Sequence, residues 1–200
     1  MSTTVDGRLL SSAARTWLLA LARSTIDRAL DDGALHLPDP HDGPEEVEGL
    51  GAAFVTLRCD GELLGCIGSM EARRSLADDV AAHAYDAAFR DRRLPEVTRA
   101  DWERMEIEVS VLGPLEVLDV NDRASLRAVV RPGIDGLLLT SRDGRGTFLP
   151  SVWEQVRSAD EFLDLLWRKA GLRPRRWPAD LVVERYQVIE FSDHGIHQDG

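Results

Sequence analysis

A chain of 200 residues with 44% hydrophobic and 30% charged side chains can bury a sizeable core without disulfide or metal staples, which sets aside the disordered and fibrous classes. Its 35 acidic against 24 basic residues leave a net charge of -11, so it repels phosphate backbones and anionic lipid surfaces. No nucleic-acid partner is expected: the one basic cluster, Arg173, Arg175 and Arg176, is short and interrupted by Pro174.

Met1 to Arg8 lacks an apolar signal core, and the first long apolar run, Trp17 to Ala22, is broken by Arg23 and Asp27. Neither export nor a membrane span is expected. From Ser11 to Leu30, Ala14, Trp17, Leu18, Leu21, Ala22, Ile26, Ala29 and Leu30 recur every three or four residues, which predicts an amphipathic helix with its stripe in the core. Ser11 or Ser12 caps its start and Gly33 its end. Residues His36 to Gly51, with Pro38, Pro40 and Pro44 among acidic side chains, read as a long loop. Ala52 to Arg58 and Leu63 to Ile67 read as strands of a hairpin turning at Asp60-Gly61.

Within the second strand, Gly65 and Gly68 flank Cys66. Glycine weakens a strand interior, so this spacing predicts a bulge, or a place where backbone or ligand approaches closely. Cys66 is the best chemical candidate, because missing neighbouring side chains leave room around its thiol. A reactive thiolate also needs a cation, a helix N-terminus or a metal beside it. The plain alternative is a small buried residue under a hairpin. Cys59 and Cys66 are the only cysteines, and their spacing matches neither a disulfide framework nor a zinc finger, which would take four ligands. No metal site is expected, and the two thiols fit a reducing cytoplasm.

Ser75 with Asp78 predicts a helix running to about Phe89, with Leu76, Val80, Ala84 and Ala87 on one side and His83 at its surface or boundary. Thr98 with Asp101 starts a short helix. Ile107, Val109 and Val111 alternate with Glu106, Glu108 and Ser110 as a strand with one wet face, closed by Gly113-Pro114. Gly136 to Thr140 and Thr147 to Leu149 are strands joined by a turn at Asp143 to Gly146, whose glycines are too few for a phosphate loop. Ser158 with Glu161 opens a helix carrying Phe162, Leu163, Leu166 and Ala170 on one face until Gly171. Leu181 to Phe191 is a final strand before a polar tail with His194 and His197. The sum is a single α+β domain: a mainly antiparallel β-sheet flanked by helices.

A Cys-His pair would need His36, His41 or His83 brought to Cys66 by the fold. The carboxylate pairs Glu106/Glu108 and Asp31/Asp32 read as a strand face and a helix end. Trp153, Trp167 and Trp177 are core residues or, alternatively, the anchors of an interaction patch.

Six blocks in order carry a resemblance: Leu64-Gly65-Cys66-Ile67-Gly68, Asp91-Arg92-Arg93-Leu94-Pro95, Glu108-Val109-Ser110-Val111-Leu112, Gly133-Ile134-Asp135-Gly136, Phe148-Leu149-Pro150-Ser151-Val152-Trp153, and Phe162 with Lys169-Ala170-Gly171-Leu172. Over roughly residues 10 to 190 the chain resembles the AMMECR domain family, whose bacterial and archaeal members are often called AmmeMemoRadiSam system protein A. The family segment usually reads Leu-Arg-Gly-Cys-Ile-Gly, with arginine where Leu64 stands, and many bacterial members have glutamine where Ser151 stands. The resemblance implies an α+β fold with a larger and a smaller lobe, the cysteine segment near the cleft between them. It makes Cys66 the candidate catalytic residue and Gly65, Ile67, Gly68, Asp91 and Arg93 candidate binding residues. Asp91 and Arg93 have a plainer reading as a locally satisfied charged turn ended by Pro95. Relatives are encoded beside, or fused to, Memo-type and radical S-adenosylmethionine proteins; the family has no agreed substrate, and the cofactor is unknown. Two readings follow: an accessory or binding protein working with such partners, or a cysteine-dependent enzyme using Cys66 as nucleophile or ligand in an inter-lobe cleft.

Overall fold

The computed structural model describes residues 4–5, 8–39, 41–174 and 176–193; Arg175, His194 and His197 lie outside them. Two short strands, β1 (Thr4–Val5) and β2 (Arg8–Leu9), pair antiparallel ahead of helix α1 (Ser12–Asp32). The Ser11 hydroxyl accepts the Ala14 N–H at 3.1 Å, and Gly33, at φ +73°, ends the helix in the left-handed conformation that glycine adopts without strain. The proline-rich stretch is less irregular than expected. It holds a 3-10 turn at Glu45–Val47, begun by Pro44, and a strand β3 (Leu50–Gly51). Proline is tolerated at the start of a helical turn, where its missing N–H has no partner to lose.

Strands β4 (Ala53–Cys59) and β5 (Glu62–Gly68) form the predicted hairpin, with positive φ at both Asp60 and Gly61 as its two-residue turn demands. Strand β6 (Arg74–Ser75) pairs with β3 and leads into helix α2 (Leu76–Phe89), capped by Ser75. Helix α3 (Arg99–Trp102) opens with the Thr98/Asp101 capping box, and strand β7 (Met105–Leu112) follows. The chain then makes strand β8 (Glu116–Val117), helix α4 (Arg123–Val129), strands β9 (Gly136–Ser141) and β10 (Gly144–Phe148), a 3-10 turn at Pro150–Gln155, helix α5 (Ala159–Lys169), and strands β11 (Val182–Tyr186) and β12 (Val188–Ser192).

These elements make two compact units, one taking the chain up to Leu112 and again from Ile189, the other spanning Gly113–Val188. In the larger unit the sheet order is β12-β7-β4-β5, and its core joins Val55, Leu57, Ile107 and Val109 to Leu18 and Ile26 of α1 and Val80 and Ala84 of α2. Asp193 fastens this unit: one carboxylate oxygen accepts the Ile107 N–H at 2.8 Å and the other the Arg23 Nε–H at 3.0 Å. The smaller unit has order β10-β9-β11-β8, with Leu137, Leu139, Phe162, Leu166 and Val183 at its centre. Antiparallel pairing with helices on the sheets makes the fold α+β, as expected.

Three further expectations change. The final strand is two strands, β11 in the smaller unit's sheet and β12 in the larger's, which period-2 hydrophobicity cannot reveal because both are half-buried. The turn after β9 is only Arg142-Asp143; Gly144 and Gly146 lie within β10, where a Cβ at Gly144 would collide with the Ala170 carbonyl oxygen at the end of α5. Ser110 is buried rather than wet, its hydroxyl donating to Glu190 Oε2 at 3.1 Å. Trp153, Trp167 and Trp177 belong to the smaller unit's core: Trp153 stacks on Phe162 at 3.8 Å between centroids, Trp167 is buried, and Trp177 lies against the same cluster.

Candidate functional site

Strand alternation decides which way Cys66 points. Val55 and Leu57 face α1 and α2, so Thr56, between them, faces the other side of the sheet. Cys66 is directly opposite Thr56, and its thiol shares that side. The Thr56 hydroxyl donates to Cys66 Sγ at 3.3 Å. Glu108 is the next cross-strand neighbour of Thr56, so a thiol, a hydroxyl and a carboxylate form one row across β5, β4 and β7. Thr56 carries no sequence signal for this role, and Glu108, read as one of a pair on a strand face, sits in the row instead.

The flanking glycines do not open space around the thiol. A Cβ at Gly65 would collide with the Ala87 carbonyl oxygen, and one at Gly68 with the Phe54 ring. What approaches closely is helix α2 on one side of the strand and an aromatic ring on the other. The bulge is present: Leu57 faces Gly65 while Arg58 faces Leu63, so Leu64 is the extra residue. Leu64 and Ile67 are half-buried against the larger unit's core. Leu64, where the resemblance led to an expectation of arginine, is therefore a packing residue in this chain.

The charged groups brought to Cys66 come from the turn after α2. Ser69 N–H donates to the Ala53 carbonyl, which makes Val55/Ile67 the hydrogen-bonded pair and leaves Cys66 with both N–H and C=O pointing to the outer edge of β5. There Asp91 Oδ2 accepts the Cys66 N–H at 3.1 Å and Arg93 Nη2 donates to the Cys66 carbonyl at 2.9 Å. Arg93 also grips Asp91 in a fork, Nε to Oδ1 at 2.8 Å and Nη2 to Oδ2 at 2.6 Å. The Asp91 side chain is 3% exposed and that of Arg93 65%. The Arg93 hydrogen bonds hold the Asp91 carboxyl well below the usual carboxylate range against the opposing effect of burial, and the Cys66 N–H adds to the depression. The same bond raises Arg93. The charged turn is thus satisfied across the fold as well as locally.

No imidazole joins this constellation. His83 is buried rather than peripheral, with Nε2 3.3 Å from Asp79 Oδ1, and neither ring nitrogen makes a hydrogen bond. Asp79 Oδ2 accepts the Ala53 N–H at 2.9 Å, while Arg74 Nε lies 3.5 Å from Oδ1. His83 belongs to the helix that covers the apolar side of the sheet, whereas the Cys66 sulfur is on the opposite side. His36 meets Asp32 at 2.7 Å and His41 meets Glu48 at 3.8 Å. Among the described residues no three His, Cys, Asp or Glu side chains gather as a metal-ligand set, and no helix is long and apolar enough to cross a membrane.

The AMMECR1 family model matches residues 19–191. A protein of Methanothermobacter thermautotrophicus is 36% identical over 185 residues, covering 92% of this chain and 93% of its own length. A protein of Methanocaldococcus jannaschii is 32% identical over 190 residues, 93% of each chain. The crystal structure of an uncharacterized protein from Pyrococcus horikoshii is similar at TM-score 0.81 and 30% identity, over 88% of this chain and 89% of that one.

Proposed function

Because the chain belongs to the AMMECR1 family, we propose that it acts, as a single AMMECR-like domain in the cytoplasm, as an accessory or binding protein. Its partners in this reading are Memo-type and radical S-adenosylmethionine proteins, the classes that the family resemblance implies. One observation carries it: Asp91 and Arg93 grip the main chain of Cys66, while the sulfur meets a hydroxyl and no imidazole. A nucleophilic cysteine needs a base or cation directed at sulfur. A recognition surface needs a backbone that loses little freedom on binding, and this clamp supplies one. Gly65, Ile67 and Gly68 then shape the presented strand, and Arg93 offers its exposed guanidinium beside it.

Calorimetric titration of the chain against a Memo-type and a radical S-adenosylmethionine protein from the same organism tests this. Saturable binding that weakens at least several-fold in Arg93→Ala is expected. Absence of binding to either protein at high micromolar concentration sinks the reading.

The Thr56 hydroxyl aimed at sulfur favours a second reading, a Cys66-dependent enzyme. In that case Cys66→Ala abolishes turnover and leaves partner binding intact, whereas the binding reading has no turnover to abolish.

A further inference from the structure

Helix α5 is divided by charge along its length. Its acidic side chains are engaged towards its start, Asp160 by Arg127 at 2.9 Å and Asp164 by Arg123 at 2.6 Å. Its last turn carries Arg168 and Lys169, and the segment that follows adds Arg173 and Arg176. The Lys169 ammonium lies over the Phe148 ring at 5.0 Å. Arg168, Arg173 and Arg176 are placed differently: all three are exposed, and among the described residues none of their guanidiniums pairs with a carboxylate.

The fold gathers these three cations around one residue. Gly171, at φ +73°, ends the helix, and buried Leu172 turns back so that its N–H donates to the Trp167 carbonyl at 3.0 Å. The Trp167 Nε1–H donates to the Arg176 carbonyl at 3.1 Å, and the Arg176 N–H to the Arg173 carbonyl at 3.2 Å. The Trp177 ring packs on that of Trp167 at 5.5 Å between centroids. A stretch that is short and interrupted in the sequence is therefore an ordered loop held on α5. Cations in the last turn of a helix complement its macrodipole, which accounts for Arg168, but Arg173 and Arg176 lie beyond the helix end.

We propose that Arg168, Arg173 and Arg176 form a docking surface for an acidic polypeptide segment of a partner protein. Unpaired guanidiniums on an ordered main chain take carboxylates in planar, two-bond geometry. A few carboxylates in a row cover this patch alone, and the patch acts on them at close range while salt screens the more distant acidic groups. A nucleic acid, with phosphates at every step, extends past the patch onto a molecule whose net charge is -11. The surface lies in the smaller unit and rests on no reading of the Cys66 segment.

Fluorescence anisotropy of labelled hexaglutamate titrated with the full chain at low salt tests this. Saturable binding is expected, and Arg168→Gln, Arg173→Gln and Arg176→Gln combined should weaken it about tenfold. A control combining Arg28→Gln, Arg92→Gln and Arg157→Gln makes the same change in net charge at exposed residues that likewise pair with no carboxylate among the described residues. It should leave binding within about twofold. Equal losses in the two variants overturn the proposal, because net charge alone then governs binding. Absence of binding up to about 1 mM chain overturns it too. So does tighter binding of hexathymidylate that is lost in the first variant, which assigns the surface to nucleic acid. If that variant does not fold, the Trp167 indole N–H resonance of the unaltered chain decides, since its acceptor is the Arg176 carbonyl. A shift on adding hexaglutamate supports the surface, and a resonance that stays in place refutes it.

Discussion

Asp91, at the end of α2, accepts the main-chain N–H of Cys66 at 3.1 Å, so two blocks separated by 25 residues in the sequence meet through one hydrogen bond. Arg93 completes the contact by holding the Asp91 carboxylate and the Cys66 carbonyl together. The Cys66 main chain is consequently held on both its N–H and its C=O, while its sulfur accepts only the Thr56 hydroxyl at 3.3 Å.

Asp91→Asn should destabilise the chain by about 2 kcal/mol near neutral pH, since a charge-assisted bond becomes neutral and the Arg93 fork loses its counter-charge. Solvent screening at the exposed guanidinium keeps the loss at that level. The sign with pH follows from the depressed carboxyl. Unfolding returns Asp91 to its ordinary affinity for protons, about pKa 3.9, so its contribution is complete above that value. It is lost as pH falls through the lowered folded-state value. Urea unfolding at about pH 7, 5 and 3 should show the gap between the two proteins narrowing only at the acid end.

The two motif glycines should respond differently to alanine. At Gly65 the obstacle is the Ala87 carbonyl of the α2 backbone, so Gly65→Ala must displace the helix and should cost about 3 kcal/mol. At Gly68 the obstacles are the Phe54 side chain, which can be trimmed, and the Ala53 carbonyl oxygen, which cannot. Phe54→Ala should therefore recover part of the loss in Gly68→Ala and none of that in Gly65→Ala. A double-mutant cycle by denaturant titration reads this directly.

Thiol labelling should separate the two cysteines. Cys59 is buried and burial pushes its thiol up, whereas Cys66 is half-exposed. Native protein should take up one equivalent of a small maleimide, at Cys66, and a second only in denaturant. Mass spectrometry of the labelled peptides checks the assignment, and rapid native labelling of Cys59 would contradict the packing.

His83 should be replaceable. Its ring is buried with neither nitrogen hydrogen-bonded and only the Asp79 carboxylate 3.3 Å from Nε2, so His83→Leu removes polar atoms that folding desolvates for little return and should leave stability within about 1 kcal/mol of the unaltered chain. Asp79→Ala should instead cost about 2 kcal/mol, because it strips the Ala53 N–H of its acceptor. Thermal unfolding of both variants makes the comparison.

Helix starts were the most legible features. Ser11, Ser75, Thr98 and Ser158 all begin the helices their spacing predicts, because a cap is a bond between a side chain and an N–H three residues away. The β4–β5 turn was equally plain, since Asp60-Gly61 can adopt positive φ where most residues cannot. Helix α4 was missed because Leu126 is its only buried residue, leaving no apolar stripe to read. The surface or boundary placement of His83 failed for the opposite reason: α2 is covered on nearly every side, so its polar positions are enclosed with the apolar ones.

The Cys66 segment shows the division most clearly. Sequence alone determined that it is a glycine-flanked strand of a hairpin and that the chain resembles one family, because strand propensity, turn chemistry and ordered blocks are local properties. Only tertiary structure decided that the glycines admit Ala87 and Phe54, that the sulfur faces Thr56 with His83 on the other side of the sheet, and that Asp91 and Arg93 close the edge. Those outcomes depend on strand register and on how α2 lies across β5, and register reverses the facing of every side chain with a shift of one residue.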